Sequence, residues 1–167
     1  MNNDLQAILA DARSAYADFT VALGAVPSAR WIEPRAEGKW SPGQIAEHIA
    51  ISFELADRVV RGLPLKTALP GVMRWLLRQT YVKPILRHGA MKPGKTVPQF
   101  QPSATPAFEP TMKRLDAAMM SFVAACVEAA RSGKTAVEHP AFGTLSLLDY
   151  ARLQVIHVRH HLAQVPK

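Results

Sequence analysis

His157 and His161 stand four residues apart near the C-terminal end of the sequence. On a helix that spacing puts both side chains on one face with Cβ atoms about 6 Å apart, so two imidazole nitrogens can address a single ion. The same spacing also arises by chance, and a packed or solvated pair is the plainer reading. His48 lies about two turns into a different apolar segment, whose stripe Ile45, Ile49, Phe53 and Ala56 also turns His48 and Ser52 toward the core side. The remaining histidines read as surface or loop structure. His160 points about 100° around the helix from His161, His88 lies in a basic stretch, and His139 precedes a proline, where it could at most touch the mouth of a site.

Other chemistries lack their residues. There is no Gly-rich phosphate loop, nucleophile elbow or His-Glu zinc-protease motif. The acids sit singly, so paired carboxylates for glycoside chemistry are not identifiable. Cys126 is the sole cysteine. It excludes an intramolecular disulfide and a Cys-rich zinc site, points to a reducing compartment, and falls on a predicted buried helix as a packing residue.

Four long helices must position these groups. From about Asn3 to Leu23, Leu5, Ile8, Leu9, Ala12, Ala15, Tyr16, Phe19 and Leu23 recur at three and four residues, and Gly24 and Pro27 stop the run. Helix two begins at Ser41-Pro42-Gly43-Gln44, where Ser41 caps, Pro42 fits the first position and Gln44 reaches back; Gly62 and Pro64 end it. A shorter helix is expected over Val72–Val82, inside a long crossover from Leu63 to Pro110 that holds six of the thirteen prolines between Pro84 and Pro110. Helix three, roughly Thr111 to Arg131, ends before Gly133. Helix four follows Gly143, with Ser146 and Asp149 spaced as a capping box, and runs to about Val165. The expectation is one all-α domain over residues 1–167, a four-helix bundle with a long crossover between helices two and three.

The 167 residues suffice for one well-buried core, and 49% hydrophobic with 20% charged residues is the balance of a globular domain. No stretch approaches the roughly 20 apolar residues of a membrane span, and the N-terminus does not read as a signal peptide. A cytoplasmic protein without a membrane partner is expected. The net charge of +7 is uneven: between Arg58 and Phe108 there are nine Lys or Arg and no Asp or Glu. Scattered among Pro, Leu and Trp, these charges suit a solvated face or a rim for a small anion better than nucleic acid.

Two blocks resemble the DinB-like metal-binding superfamily, which includes the YfiT-like metal-dependent hydrolases. One is Trp40-Ser41-Pro42-Gly43-Gln44-Ile45-Ala46-Glu47-His48-Ile49; the other runs from His139 to Val165 and carries the paired histidines and Gln164. The resemblance implies that His48, His157 and His161 form a three-histidine site. Three neutral imidazoles suit a divalent transition metal, zinc or nickel foremost, and leave a coordination position open. Glu47 and Glu54 do not fit as further ligands. Tyr150, Gln154 and Gln164 share roughly the same side of helix four and are candidates to orient the ligands, with core-edge polarity as the bland alternative. Trp31, Trp40 and Trp75 read as core or bundle-end anchors.

Characterised relatives include low-molecular-weight thiol transferases and a mycothiol-dependent isomerase, so the resemblance implies a metal-dependent transferase or hydrolase acting on a small molecule with such a thiol or with activated water. The alternative is a non-catalytic metal-stabilised stress-response or interaction bundle. Arg74, Arg78 and Arg87 could attract a cofactor's carboxylates, and apolar residues around Trp75, Leu76 and Leu77 could form a homodimer contact or cover the protein's own core.

Overall fold

The apolar stripes and their breakers produce four long helices in the computed structural model, which describes residues 3–65, 69–92, 94 and 96–166. α1 (Asn3–Gly24) buries Leu5, Leu9, Ala12, Ala15, Phe19 and Leu23, three and four residues apart as expected. α2 (Pro42–Arg61) starts on a reciprocal cap: the Ser41 hydroxyl accepts the Gln44 amide at 3.2 Å while the Gln44 side chain accepts the Ser41 amide at 3.0 Å. Gly62 closes α2 with φ +75°, a left-handed conformation that glycine adopts without a Cβ penalty. Gly43 is the other position where only glycine fits, since a Cβ there would lie 2.7 Å from Trp31 Nε1. Trp31 itself is buried and donates from Nε1 to the Pro106 carbonyl at 2.8 Å, so the start of α2 is locked to the end of the crossover.

Between α2 and the next long helix, the expected Val72–Val82 segment is longer and is not uniformly α-helical. It comprises α3 (Gly71–Leu77), a π-helical turn (Arg78–Val82) and α4 (Lys83–His88). Pro84, expected beyond the helix, instead sits in the first turn of α4. A proline has no N–H to offer the carbonyl four residues back, and the π turn immediately upstream absorbs that lost bond. Among the described residues the rest of the crossover is irregular apart from a 3-10 turn at Pro98–Phe100; Pro93 lies outside the described residues.

α5 (Phe108–Arg131) begins three residues before the expected Thr111, because Pro110 falls in its first turn, where no intrahelical N–H is required. A feature not expected from the sequence follows: an antiparallel hairpin of β1 (Ala136–His139) and β2 (Gly143–Ser146), with Val137 opposite Leu145. Both of those residues are buried while Glu138 and Thr144 face outward, the two-residue alternation of a half-covered strand pair. His139 Nδ1 accepts the amides of Ala141 and Phe142 at 3.1 and 3.2 Å and so builds the turn. α6 (Leu147–Leu162) is capped by Ser146, whose hydroxyl accepts the Asp149 amide at 2.9 Å, and ends three residues short of Val165.

α2 packs mainly against α5, and α1 against α6. Phe19, Phe53 and Phe122 are fully buried between them, with the Phe53 and Phe122 rings 5.6 Å apart. Each such ring contributes on the order of 1.5–3 kcal/mol through burial. The architecture is a four-helix bundle with a crossover between α2 and α5, plus one small hairpin. Among the described residues no helix is long and apolar enough to cross a membrane.

Candidate metal centre

α2 and α6 bring His48, His157 and His161 together, with one ring nitrogen from each lying within 4.8 Å of the others. The ring centroids form a near-equilateral triangle: His48 to His157 5.0 Å, His48 to His161 4.8 Å, His157 to His161 4.8 Å. His48 occupies the second turn of α2, and the pair stands at i and i+4 near the end of α6.

Two of the three outer nitrogens are already committed. His48 Nδ1 lies 2.8 Å from the Phe100 carbonyl. A carbonyl only accepts, so Nδ1 carries the proton and Nε2 keeps its lone pair. At α6 the side-chain amide of Gln164 orients a ring in the same way. Its Nε2 donates to His160 Nε2 at 2.8 Å, which leaves its Oε1 to accept from His161 Nδ1 at 3.2 Å. His161 Nε2 is thereby a free lone pair. His48 Nε2 and His157 Nε2 face each other at 3.1 Å, close to the roughly 3.3 Å that two imidazoles adopt on a tetrahedral zinc with bonds of about 2.0–2.1 Å. Two such nitrogens at that distance need a proton or a cation between them.

The electrostatics agree with this. Burial pushes His157 down to about 3, with positive charge on His48 or His160 adding to the effect. Burial likewise holds His161 well below the ordinary imidazole range, followed by His157, His48 and His160, and only the Gln164 bond opposes it. Burial lowers His48 too, against the opposing Phe100 bond. Neutral imidazoles with aligned lone pairs are the ligating form. The three imidazoles therefore could hold a metal ion.

Trp40 and Phe100 wall the cluster. The Trp40 ring lies 4.7 Å from His48 and stacks on His161 at 6.1 Å, and the Phe100 ring is 6.2 Å from His48. Trp40 thus covers the imidazoles, whereas Trp31 is core and Trp75 is exposed. Neither acid of the nearby α2 face is a ligand. Glu47 accepts from the Ser103 amide and hydroxyl at 2.6 and 2.7 Å and pairs with Arg114, which also holds Glu54 at 2.7 Å.

The other candidate residues divide. Gln164 touches the triad through His161. Gln154 is buried one turn before His157, and Tyr150 is buried with its ring 5.8 Å from His139; neither makes a hydrogen bond or ring contact with the three imidazoles among the described residues. His139 stacks on Phe142 at 4.3 Å, and burial lowers it to about 4. Arg74 pairs with Glu138 and Arg78 donates to the Thr144 carbonyl, so both serve the hairpin. Cys126 is buried, with its thiol pushed up to about 12 by burial, which suits packing and not nucleophilic attack.

Sequence reasoning missed Phe100 and misplaced His160. Phe100 acts through its backbone, which no side-chain motif encodes. His160 does leave the His161 direction, but Gln164, just past the end of α6, reaches back to both rings. Replacing Gln164 by Leu is expected to weaken divalent-metal affinity about 10- to 100-fold while the fold stays intact, because His161 loses the acceptor that fixes its tautomer; competition titration against a chromophoric chelator measures it.

Similarity to known proteins is confined to fold and family. No curated protein matches the chain in sequence. The crystal structure of TT2238, a four-helix bundle protein, is similar at a TM-score of 0.61 and 21% identity, covering 96% of each chain, a likeness of fold. Residues 12–165 match the sequence profile of the DinB superfamily, a span that includes both histidine-bearing helices and the crossover between them. By that match over nearly its whole length, the chain belongs to the DinB superfamily.

Proposed function

We propose that His48, His157 and His161 hold one divalent ion, zinc or nickel foremost, and that the protein is a metal-dependent transferase or hydrolase acting on a small molecule with a low-molecular-weight thiol or activated water. The observation that carries this reading is the direction of the imidazole nitrogens. Two Nδ1 atoms are tied outward to Phe100 and Gln164, and the remaining lone pairs converge. An ion held by three neutral ligands keeps its double positive charge and an open position, so it supplies Lewis acidity toward a thiol, a water or a carbonyl oxygen.

The chain's own groups have definable parts. The Phe100 carbonyl and Gln164 orient the ligands, Trp40 and the Phe100 ring exclude water from one side, and the Glu47 and Glu54 carboxylates are held away by Arg114 and Ser103. With no carboxylate beside the imidazoles among the described residues to offset the charge, an anionic or readily ionised reactant is favoured. The single, buried, unpaired cysteine supports placing this chemistry in a reducing compartment, the cytoplasm.

A second reading is a non-catalytic bundle in which the ion fastens α2 to α6. It draws support from the sparse direct packing between α2 and α6, which an ion held by both helices would supplement. Elemental analysis of untagged protein, beside His48→Ala/His157→Ala, tests the metal, and assays of thiol consumption and ester hydrolysis test the reaction. About one equivalent of metal in the parent only, with turnover, supports the enzyme. Metal without turnover favours the structural role, and no metal in either protein removes both.

A further inference from the structure

We propose that the helical segment from Gly71 to His88 docks the protein peripherally on an anionic phospholipid surface. The segment faces two ways. Its inner side delivers Val82 and Ile85 to the core, at 1% and 4% exposure, and sends Arg74 and Arg78 to the hairpin. Its outer side leaves Val72 81%, Trp75 59% and Leu76 44% exposed, with Met73 beside them at 43%. An exposed apolar cluster of this kind marks a contact site.

The occupant follows from charge. Lys83 and Arg87 stand exposed further along the same segment, and no Asp or Glu occurs from Arg58 to Phe108. A tryptophan amid aliphatic residues, flanked by Lys and Arg, is the composition of a helix lying in the headgroup layer, where the indole and alkyl groups enter the acyl boundary and the cations meet lipid phosphates. A second copy is a poorer partner. A two-fold contact would set the cations of this segment against themselves, since the segment carries no carboxylate and Glu138 of the hairpin is already paired with Arg74. The expectation of no membrane partner rested on the lack of a spanning segment, and docking in the interface needs none. The inference does not depend on the metal.

Co-sedimentation with vesicles of phosphatidylcholine alone, and of phosphatidylcholine mixed with phosphatidylglycerol, tests it. Binding is expected only with the anionic lipid and is expected to weaken as salt rises. Trp75→Ser/Leu76→Ser should abolish it, and Lys83→Gln/Arg87→Gln should weaken it roughly tenfold or more. All four substitutions are at exposed positions, and unchanged melting curves will show that each variant is folded. Absence of binding to the anionic vesicles, or binding that survives Trp75→Ser/Leu76→Ser, overturns the proposal. So does concentration-dependent self-association, without vesicle binding, that this double variant removes; the face would then join two copies of the chain.

Discussion

Adding zinc or nickel to the metal-stripped protein is expected to raise its melting temperature by roughly 8–16 °C at free metal about a thousand times Kd. An ion that binds only the folded state adds about 4 kcal/mol at that concentration, and for a chain of this size each kcal/mol shifts Tm by about 2–4 °C. The ligands come from α2 and α6, which touch each other far less than α2 touches α5 or α1 touches α6. The ion would therefore join the two halves of the bundle where direct helix packing is thinnest. In His48→Ala/His157→Ala the metal-induced shift should vanish. Its metal-free form should melt below the metal-free parent, because the truncations leave buried space and remove the donor to the Phe100 carbonyl, so the metal-induced difference within each protein is the diagnostic quantity. Differential scanning calorimetry with and without metal reads both effects. A full shift in the double variant would show that the ion binds elsewhere.

Acid should be the strongest perturbation of the metal-free protein. His48, His139, His157 and His161 are all held below the usual imidazole range, chiefly by burial. The sign follows from proton uptake. Above about pH 6.5 both folded and unfolded chains carry these rings neutral, and the groups contribute no pH dependence. Below it the unfolded chain takes up protons that the folded chain refuses, so stability falls with pH until the folded-state values are reached. For His139 and His157 those lie at about 4 and about 3. His139 and His157 each cost up to about 1.4 kcal/mol over the first unit below pH 6.5, and the two together up to roughly 3 kcal/mol by pH 5.5, with His48 and His161 acting in the same direction. That is a large fraction of the stability of an ordinary domain. Urea titrations of the metal-free protein at pH 7.5 and 5.5 should therefore show a large loss of midpoint. Bound metal should delay the loss, since protons must then displace the ion. A midpoint independent of pH over this range would mean that the imidazoles are solvated and ionise freely.

The helices were legible because each is encoded locally. The three- and four-residue recurrence of Leu5, Leu9, Ala12, Ala15, Phe19 and Leu23 specifies a buried stripe, and the reciprocal Ser41–Gln44 cap is built from residues three apart. The i, i+4 placement of His157 and His161 is local in the same sense. Gathering His48 with them was legible only through resemblance, since 109 residues separate His48 from His157 and periodicity alone cannot pair two helices. The hairpin escaped notice because its strands have four residues each, too short for a clear alternation, and its turn depends on the His139 ring accepting two amides. The run through Pro84 was likewise hidden, because the proline rule stops a helix there and the π turn that accommodates it has no sequence signature of its own.

By itself, then, the sequence determined which segments are helical, where they start, and which imidazoles lie on inward stripes, all consequences of contacts within a turn or two of the chain. Only the tertiary structure decided which nitrogens are free. The Phe100 carbonyl reaches His48 across 52 residues, and Gln164 folds back from beyond the end of α6 to His160 and His161. Those bonds fix tautomers through atoms brought near by packing, and no rule of spacing along a chain can anticipate a backbone oxygen delivered from a distant loop.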